Sequence, residues 1–116
     1  MNILVLDDLP DRHELYDKQY AGEHIHHVYT VLEFFKLIIS FPGKFDIMQL
    51  DHDLGDPVVA GDGRMAAKLL TLLPEESRPQ KIVVHSWNMV CGEEMVRILC
   101  EGGYTNVSFE PADDNL

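Results

Sequence analysis

The residue pattern predicts a doubly wound α/β domain, one parallel sheet with helices on both faces. Two observations carry this. Five strand-like runs alternate with four helix-like segments, and such alternation produces parallel strands joined by helical crossovers. Asn2–Leu6 and Lys81–Ser86 are almost wholly apolar, as strands buried on both faces must be. No internal repeat or low-complexity stretch offers a competing architecture.

The elements follow in order. Asn2–Leu6 is the first strand, and Asp7-Asp8 ends it. Pro10 suits the first turn of a helix running to about Tyr20, with Leu15, Tyr16 and Tyr20 as its apolar stripe. His24–Val31 is a more polar strand, which suits a sheet edge. Thr30 with Glu33 forms a capping box. The helix it opens directs Leu32, Phe35 and Ile39 to one side, with Phe34 and Ile38 beside them, and Phe41-Pro42-Gly43 breaks it. Phe45–Asp51 is the central strand. Asp53–Gly63 is a loop long enough to fold over a ligand. Gly63–Leu73 is a helix with Met65, Leu69 and Leu72 inward and Ala66 allowing close packing; Pro74 stops it. After Lys81–Ser86, Trp87-Asn88 makes a turn. Gly92–Glu101 is the last helix, with Met95, Val96 and Leu99 inward, and Gly102-Gly103 closes it. Asn106–Glu110 is the last strand. Residues 1–111 form one domain, and 112–116 are an acidic, fraying tail. Right-handed crossovers and five strands favour the flavodoxin-like order 2-1-3-4-5, which sets strands one and three side by side.

Composition narrows the function. The chain has 116 residues, 46% of them hydrophobic, enough for a single core. A net charge of −11 opposes a nucleic-acid surface, which needs clustered Lys and Arg. No apolar run reaches the roughly 20 residues of a membrane span. No charged-then-apolar leader opens the sequence, so the expected location is the cytoplasm. Cys91 and Cys100 form no metal or redox motif and are read as reduced thiols.

The chemistry gathers at two strand ends. With strands one and three adjacent, Asp7, Asp8, Asp51 and Asp53 converge where open α/β sheets bind ligands. So many carboxylates repel unless a cation sits among them. Hard oxygen donors suit Mg²⁺ or Mn²⁺, which keep room for phosphate. His52, between two acids, is the proton-transfer candidate, although side-chain alternation can turn it away from the site. Ser86 can hydrogen-bond a phosphate oxygen, and the same alternation makes His85 the weaker choice. Arg12 and Arg64 flank the site in sequence and can bind phosphate. Asn88 is read as a helix cap, and Trp87 as a stacking platform or a cover for the core rim. His24 and His26 share a strand face with no third metal ligand evident near them.

The sequence resembles the receiver domains of two-component signalling. Asp7-Asp8 matches their acidic pair, Asp51 their phosphoacceptor and Ser86 their hydroxyl residue after strand four. The family's Lys-Pro after strand five is replaced by Glu110-Pro111. Leu50-Asp51-His52-Asp53-Leu54-Gly55 with His85-Ser86-Trp87-Asn88 is similar to a divergent group, the cyclic-phosphate-processing receiver domain of prokaryotic and phage proteins. That resemblance implies hydrolysis of a cyclic or nucleotide-derived phosphate. The leading expectation is a metal-dependent phosphoesterase. Asp51 and His52 are its catalytic residues, and Asp51 can also act as a nucleophile. Asp7, Asp8, Asp51 and Asp53 hold metal, and Ser86, Arg64 and Arg12 hold phosphate. Two other readings stay open: an atypical receiver that binds a protein partner, or a second copy, without the usual Lys, and a non-catalytic binder of a nucleotide signal.

Overall fold

The computed structural model describes residues 1–55 and 61–111. Five strands, β1 (Asn2–Leu6), β2 (His24–Val28), β3 (Ile47–Asp51), β4 (Lys81–Ser86) and β5 (Val107–Pro111), form one parallel sheet in the order β2-β1-β3-β4-β5. Four helices, α1 (Pro10–Gln19), α2 (Val31–Ser40), α3 (Gly63–Thr71) and α4 (Met89–Glu101), make the crossovers, and a short 3₁₀ turn spans Glu75–Ser77. The order and the two-sided covering are as the sequence implied. Part of the expected ligand loop, residues 56–60, and the acidic tail, 112–116, lie outside the described residues.

The faces of the sheet differ. Leu4, Leu6, Met48, Leu50, Ile82 and Val84 face α2, α3 and α4 in the main core. Ile3 and Val5 pack with Tyr16 of α1, joined by Tyr20, Ile25 and Ile47. Among the described residues α1 alone covers this second face.

Three helix stripes differ from expectation. In α2 the buried residues are Val31, Phe34 and Ile38, whereas Leu32 and Ile39 are more than half exposed. Glu33, Lys36 and Ser40 recur at helical spacing on the exposed side, opposite the buried stripe, so the polar residues mark the inward face where the largest apolar ones do not. In α3 the buried set is Gly63, Ala66, Ala67 and Leu70, and Met65 and Leu72 face outward. The helix lies so close to β3 that small residues have to fill the contact. In α1, Arg12, His13 and Tyr16 are buried and Leu15 is not. Helix α4 starts earlier than expected because Asn88 caps it, its side chain accepting from Cys91 N at 3.1 Å. Gly92 is thus interior, and a Cβ there would collide with Phe109.

Strand β2 is shorter than the sequence suggested, ending at Val28. Thr30 then caps α2, accepting from Glu33 N at 3.2 Å, and Glu33 Oε1 accepts from Tyr29 N at 3.0 Å. At the far end of the sheet Arg78 donates to the carbonyls of Leu73, Gly102 and Thr71, and lies over the Tyr104 ring. One cation thereby satisfies carbonyls left open where α3 and α4 end.

Candidate functional site

Adjacency of β1 and β3 decides where the acids meet. Leu6 pairs with Leu50, so the next residues, Asp7 and Asp51, emerge together at the C-terminal edge. Asp7, Asp8 and Asp51 each offer a carboxylate oxygen, and these oxygens lie within 4.8 Å of one another. Asp7 and Asp51 are buried, and Asp8 is half-buried. Asp7 Oδ1 accepts from Leu9 N at 3.0 Å. Asp51 Oδ1 is buried with no hydrogen-bond partner. Asp53 stands at the exposed rim. Its Oδ1 accepts from Gly55 N at 3.1 Å, a local turn contact.

The electrostatics follow from this crowding. Burial, then the Asp7 charge, pushes Asp51 up to about 8. Burial raises Asp7 to about 6, held back by the Leu9 N–H and Arg12. Asp8 is raised too, by burial and Asp53. Arg12 reaches in from α1, its Nη1 3.7 Å from Asp7 Oδ2. Three carboxylates against one guanidinium leave two negative charges uncompensated when all are ionised. An orphaned buried carboxylate oxygen, an oxygen-only donor set and that charge deficit fit a hard divalent cation.

The other predicted residues fall into place around this centre or away from it. Arg12 is buried beneath Trp87, 5.7 Å from the ring centroid, and Trp87 is half exposed at the mouth. Arg64 pairs with Asp62 at 3.1 Å and Glu94 at 3.4 Å, joining α3 to α4. Ser86 is buried in a local turn, donating to Asn88 O at 2.8 Å and accepting from Asn88 N at 3.0 Å. His52 is half-buried beside the start of α3. Its backbone oxygen accepts from Gly63 N at 2.9 Å, and its Nε2 has no partner. Gly63 is required there, because a Cβ would run into Asp51 O and come within 2.8 Å of His52 Cα.

His85 stands closer to the site than its sequence reading suggested. It pairs in register with Asp51, so both side chains share the α1 face. Gln49 Nε2 donates to the Tyr20 hydroxyl at 2.7 Å, so its Oε1 accepts from His85 Nε2 at 2.6 Å. His85 Nδ1 is then the bare nitrogen, buried and without a partner. Burial, with Arg12 nearby, lowers His85 to about 4, so it is a neutral acceptor at physiological pH. Part of the signal is in the sequence: Asp51 ends β3 and His85 is next to last in β4, and strand register makes them neighbours.

A cleft of about 430 Å³ lies at the opposite end of the sheet, between Arg78, Gln80, Tyr104 and Asn106. Its one cation, the half-buried Arg78, is already committed to helix carbonyls. The acid cluster, with its converging carboxylates and unpartnered Asp51 oxygen, is therefore the better candidate.

A family model described as "Cyclic-phosphate processing Receiver domain" matches residues 2–101. No curated protein matches the chain. Among solved structures, a response regulator receiver domain from Methylobacillus flagellatus superposes with a TM-score of 0.68 at 19% identity, covering 97% of this chain and 88% of that one. The N-terminal domain of a response regulator receiver protein from Methanoculleus marisnigri JR1 gives 0.69 at 16% identity, with 98% and 85% covered. A Burkholderia pseudomallei response regulator, solved with a phosphorylated aspartic acid, a calcium ion and citrate, gives 0.64 at 21% identity. This chain is 98% covered and spans 62% of that one. At these identities the structures establish the fold alone.

Proposed function

The chain belongs to the cyclic-phosphate-processing receiver family, and from that premise we propose that it is a metal-dependent phosphoesterase acting on a small cyclic or nucleotide-derived phosphate. The observation that supports this most is the convergence of Asp7, Asp8 and Asp51, with one buried Asp51 oxygen unpartnered. These three would hold Mg²⁺ or Mn²⁺, with Asp53 adding charge at the rim. A bound ion supplies Lewis acidity toward a phosphoryl oxygen and acidifies water. The fork of Arg12 binds a non-bridging phosphate oxygen and takes over the charge role of the absent Lys. Asp51 is the nucleophile candidate if the reaction is covalent. His52, whose Nε2 is buried and unpartnered, is the proton-transfer candidate. At neutral pH His85 accepts a hydrogen bond rather than a proton, because its proton affinity is too low for a base. Ser86 and Arg64 reach phosphate only by giving up their present partners, so Arg12 carries more of the binding. The test is a panel of cyclic and nucleotide phosphates with Mg²⁺ or Mn²⁺, comparing wild type with Asp51→Asn. Metal-dependent turnover lost in the variant supports the enzyme, and equal turnover removes Asp51 from the mechanism.

A second reading, an atypical receiver, is favoured by the similar Burkholderia pseudomallei structure, which was solved with a phosphorylated aspartic acid and a calcium ion. Against it, β5 ends in Glu110-Pro111 where receivers carry Lys-Pro. Incubation with acetyl phosphate and Mg²⁺, read by intact mass, separates the two. A stable adduct on Asp51 favours the receiver.

A further inference from the structure

We infer that His13 and His27 form a second metal site, a pair of imidazole nitrogens for a borderline transition-metal ion of the Zn²⁺ or Cu²⁺ class, bridging α1 to the edge strand β2. Their Nδ1 atoms are 2.5 Å apart. The ring centroids are 4.7 Å apart, close to the most that this gap and the two ring radii allow, so the nitrogens meet almost head-on. The other nitrogens fix the tautomers. His13 Nε2 lies 2.8 Å from the Asp7 carbonyl oxygen, which can only accept, so His13 carries its proton there. His27 Nε2 lies 2.8 Å from Asp17 Oδ1, and a carboxylate likewise only accepts. Both Nδ1 lone pairs then face each other, and only a cation between them relieves the repulsion.

The surroundings match those of metal-ligating histidines. Such rings donate their second N–H to a backbone carbonyl or a carboxylate, which orients the ring and raises its donor strength. His13 does the first and His27 the second. Tyr29 covers the His13 ring, its centroid 4.2 Å away. The His27 side chain is 26% exposed, which gives an ion access and leaves open positions for water. Zn–N bonds of about 2.0–2.1 Å need the nitrogens further apart, which a small swing of the partly exposed His27 ring supplies. A proton could fill the gap instead. A divalent ion differs in binding two neutral rings, each still donating its Nε2–H. Nitrogen donors also separate this site from the oxygen-only acid cluster, and the affinity order favours Cu²⁺ over Zn²⁺.

The experiment titrates the full chain, stripped of metal and then saturated with Mg²⁺, with Zn²⁺ and separately with Cu²⁺. Calorimetry reads stoichiometry, imidazole ¹⁵N spectra read the Zn²⁺ ligands, and electron paramagnetic resonance counts nitrogens on Cu²⁺. One equivalent is expected, with both Nδ1 resonances shifted and two nitrogens on Cu²⁺. His27→Gln should abolish this binding, and Asp17→Asn, at an exposed carboxylate, should weaken it about tenfold. Asp51→Asn should leave it unchanged. Thermal melts confirm that each variant is folded. Undiminished binding in His27→Gln overturns the inference. So does a proton found on either Nδ1 that saturating Zn²⁺ leaves in place.

Discussion

Arg12 Nη1 stands 3.7 Å from Asp7 Oδ2, and both side chains are buried. In the proposed site this pair would supply, from α1, positive charge beside the acid cluster, where β5 offers Glu110. The guanidinium comes from α1, held between the acid cluster and the Trp87 ring. Its removal leaves buried carboxylates facing one another without a counter-charge. Breaking a buried pair from one side costs about 3–5 kcal/mol. Arg12→Ala is therefore expected to lose stability on that scale in metal-free urea melts at pH 7. Mg²⁺ should restore part of the loss, and Arg12→Lys should retain more, because it keeps the charge without the fork. An unchanged urea midpoint in Arg12→Ala would show that the acids need no counter-charge.

The raised acids predict an unusual pH profile. Asp51 sits at about 8 and Asp7 at about 6 in the fold, against about 4 for an unfolded carboxyl. Between those values the native state holds protons that the unfolded chain has released. Stability then falls as pH rises from about 4 through 8. In EDTA the chain should be more stable at pH 5.5 than at pH 8.5, and Asp51→Asn should flatten the slope. Mg²⁺ competes with the same protons, so its affinity should rise over the same range. Urea titrations at several pH values, with and without Mg²⁺, measure both trends. Metal-free stability that increases with pH would contradict the burial of these groups.

The sheet order and three of the four acids could be read from residue pattern, because both depend on register alone. Continuous apolar runs at Asn2–Leu6 and Lys81–Ser86 mark central strands, and a polar residue after each run marks the ligand edge. The inward face of α2 is legible only from its polar side, where Glu33, Lys36 and Ser40 lie opposite Val31, Phe34 and Ile38. That of α3 is not, because the helix packs through Gly63, Ala66 and Ala67 beside Leu70, while Met65 points outward. The His13–His27 contact joins a helix to an edge strand, and the sequence offered no spacing that would reveal it. The strand-end pattern places Asp53 beside the other acids, whereas the oxygens that converge are those of Asp7, Asp8 and Asp51.

That difference separates two substitutions. Asp8 offers an oxygen within the cluster, so Asp8→Asn should raise the Mg²⁺ dissociation constant by more than tenfold, beyond the roughly tenfold typical of an outer-shell loss. Asp53 is exposed and bound to Gly55 N, so Asp53→Asn removes only a screened charge. Exposed charges contribute about 0.2–1 kcal/mol, which limits the change to roughly fivefold. Mg²⁺ calorimetry on the two variants decides. Equal losses would make Asp53 a direct ligand.

Gly63 ties the position of α3 to that of Asp51. It opens the helix against the end of β3, its N–H donating to His52 O at 2.9 Å. A Cβ there meets the Asp51 carbonyl oxygen, the His52 Cα and the Met95 methyl group. The first two are backbone and cannot rotate away, so the helix or the strand end must move. Gly63→Ala gains up to about 1 kcal/mol of helix propensity, and less in the first turn. Overpacking costs about 1–3 kcal/mol, so the net effect should be destabilising. Because the strand end carries Asp51, Mg²⁺ affinity should fall together with stability. Ala66→Gly, one turn along the same face, is the comparison: it should lower stability through lost propensity and packing while leaving Mg²⁺ affinity intact. If Gly63→Ala melted higher than wild type with unchanged Mg²⁺ binding, the close approach of α3 would have no part in setting the acid geometry.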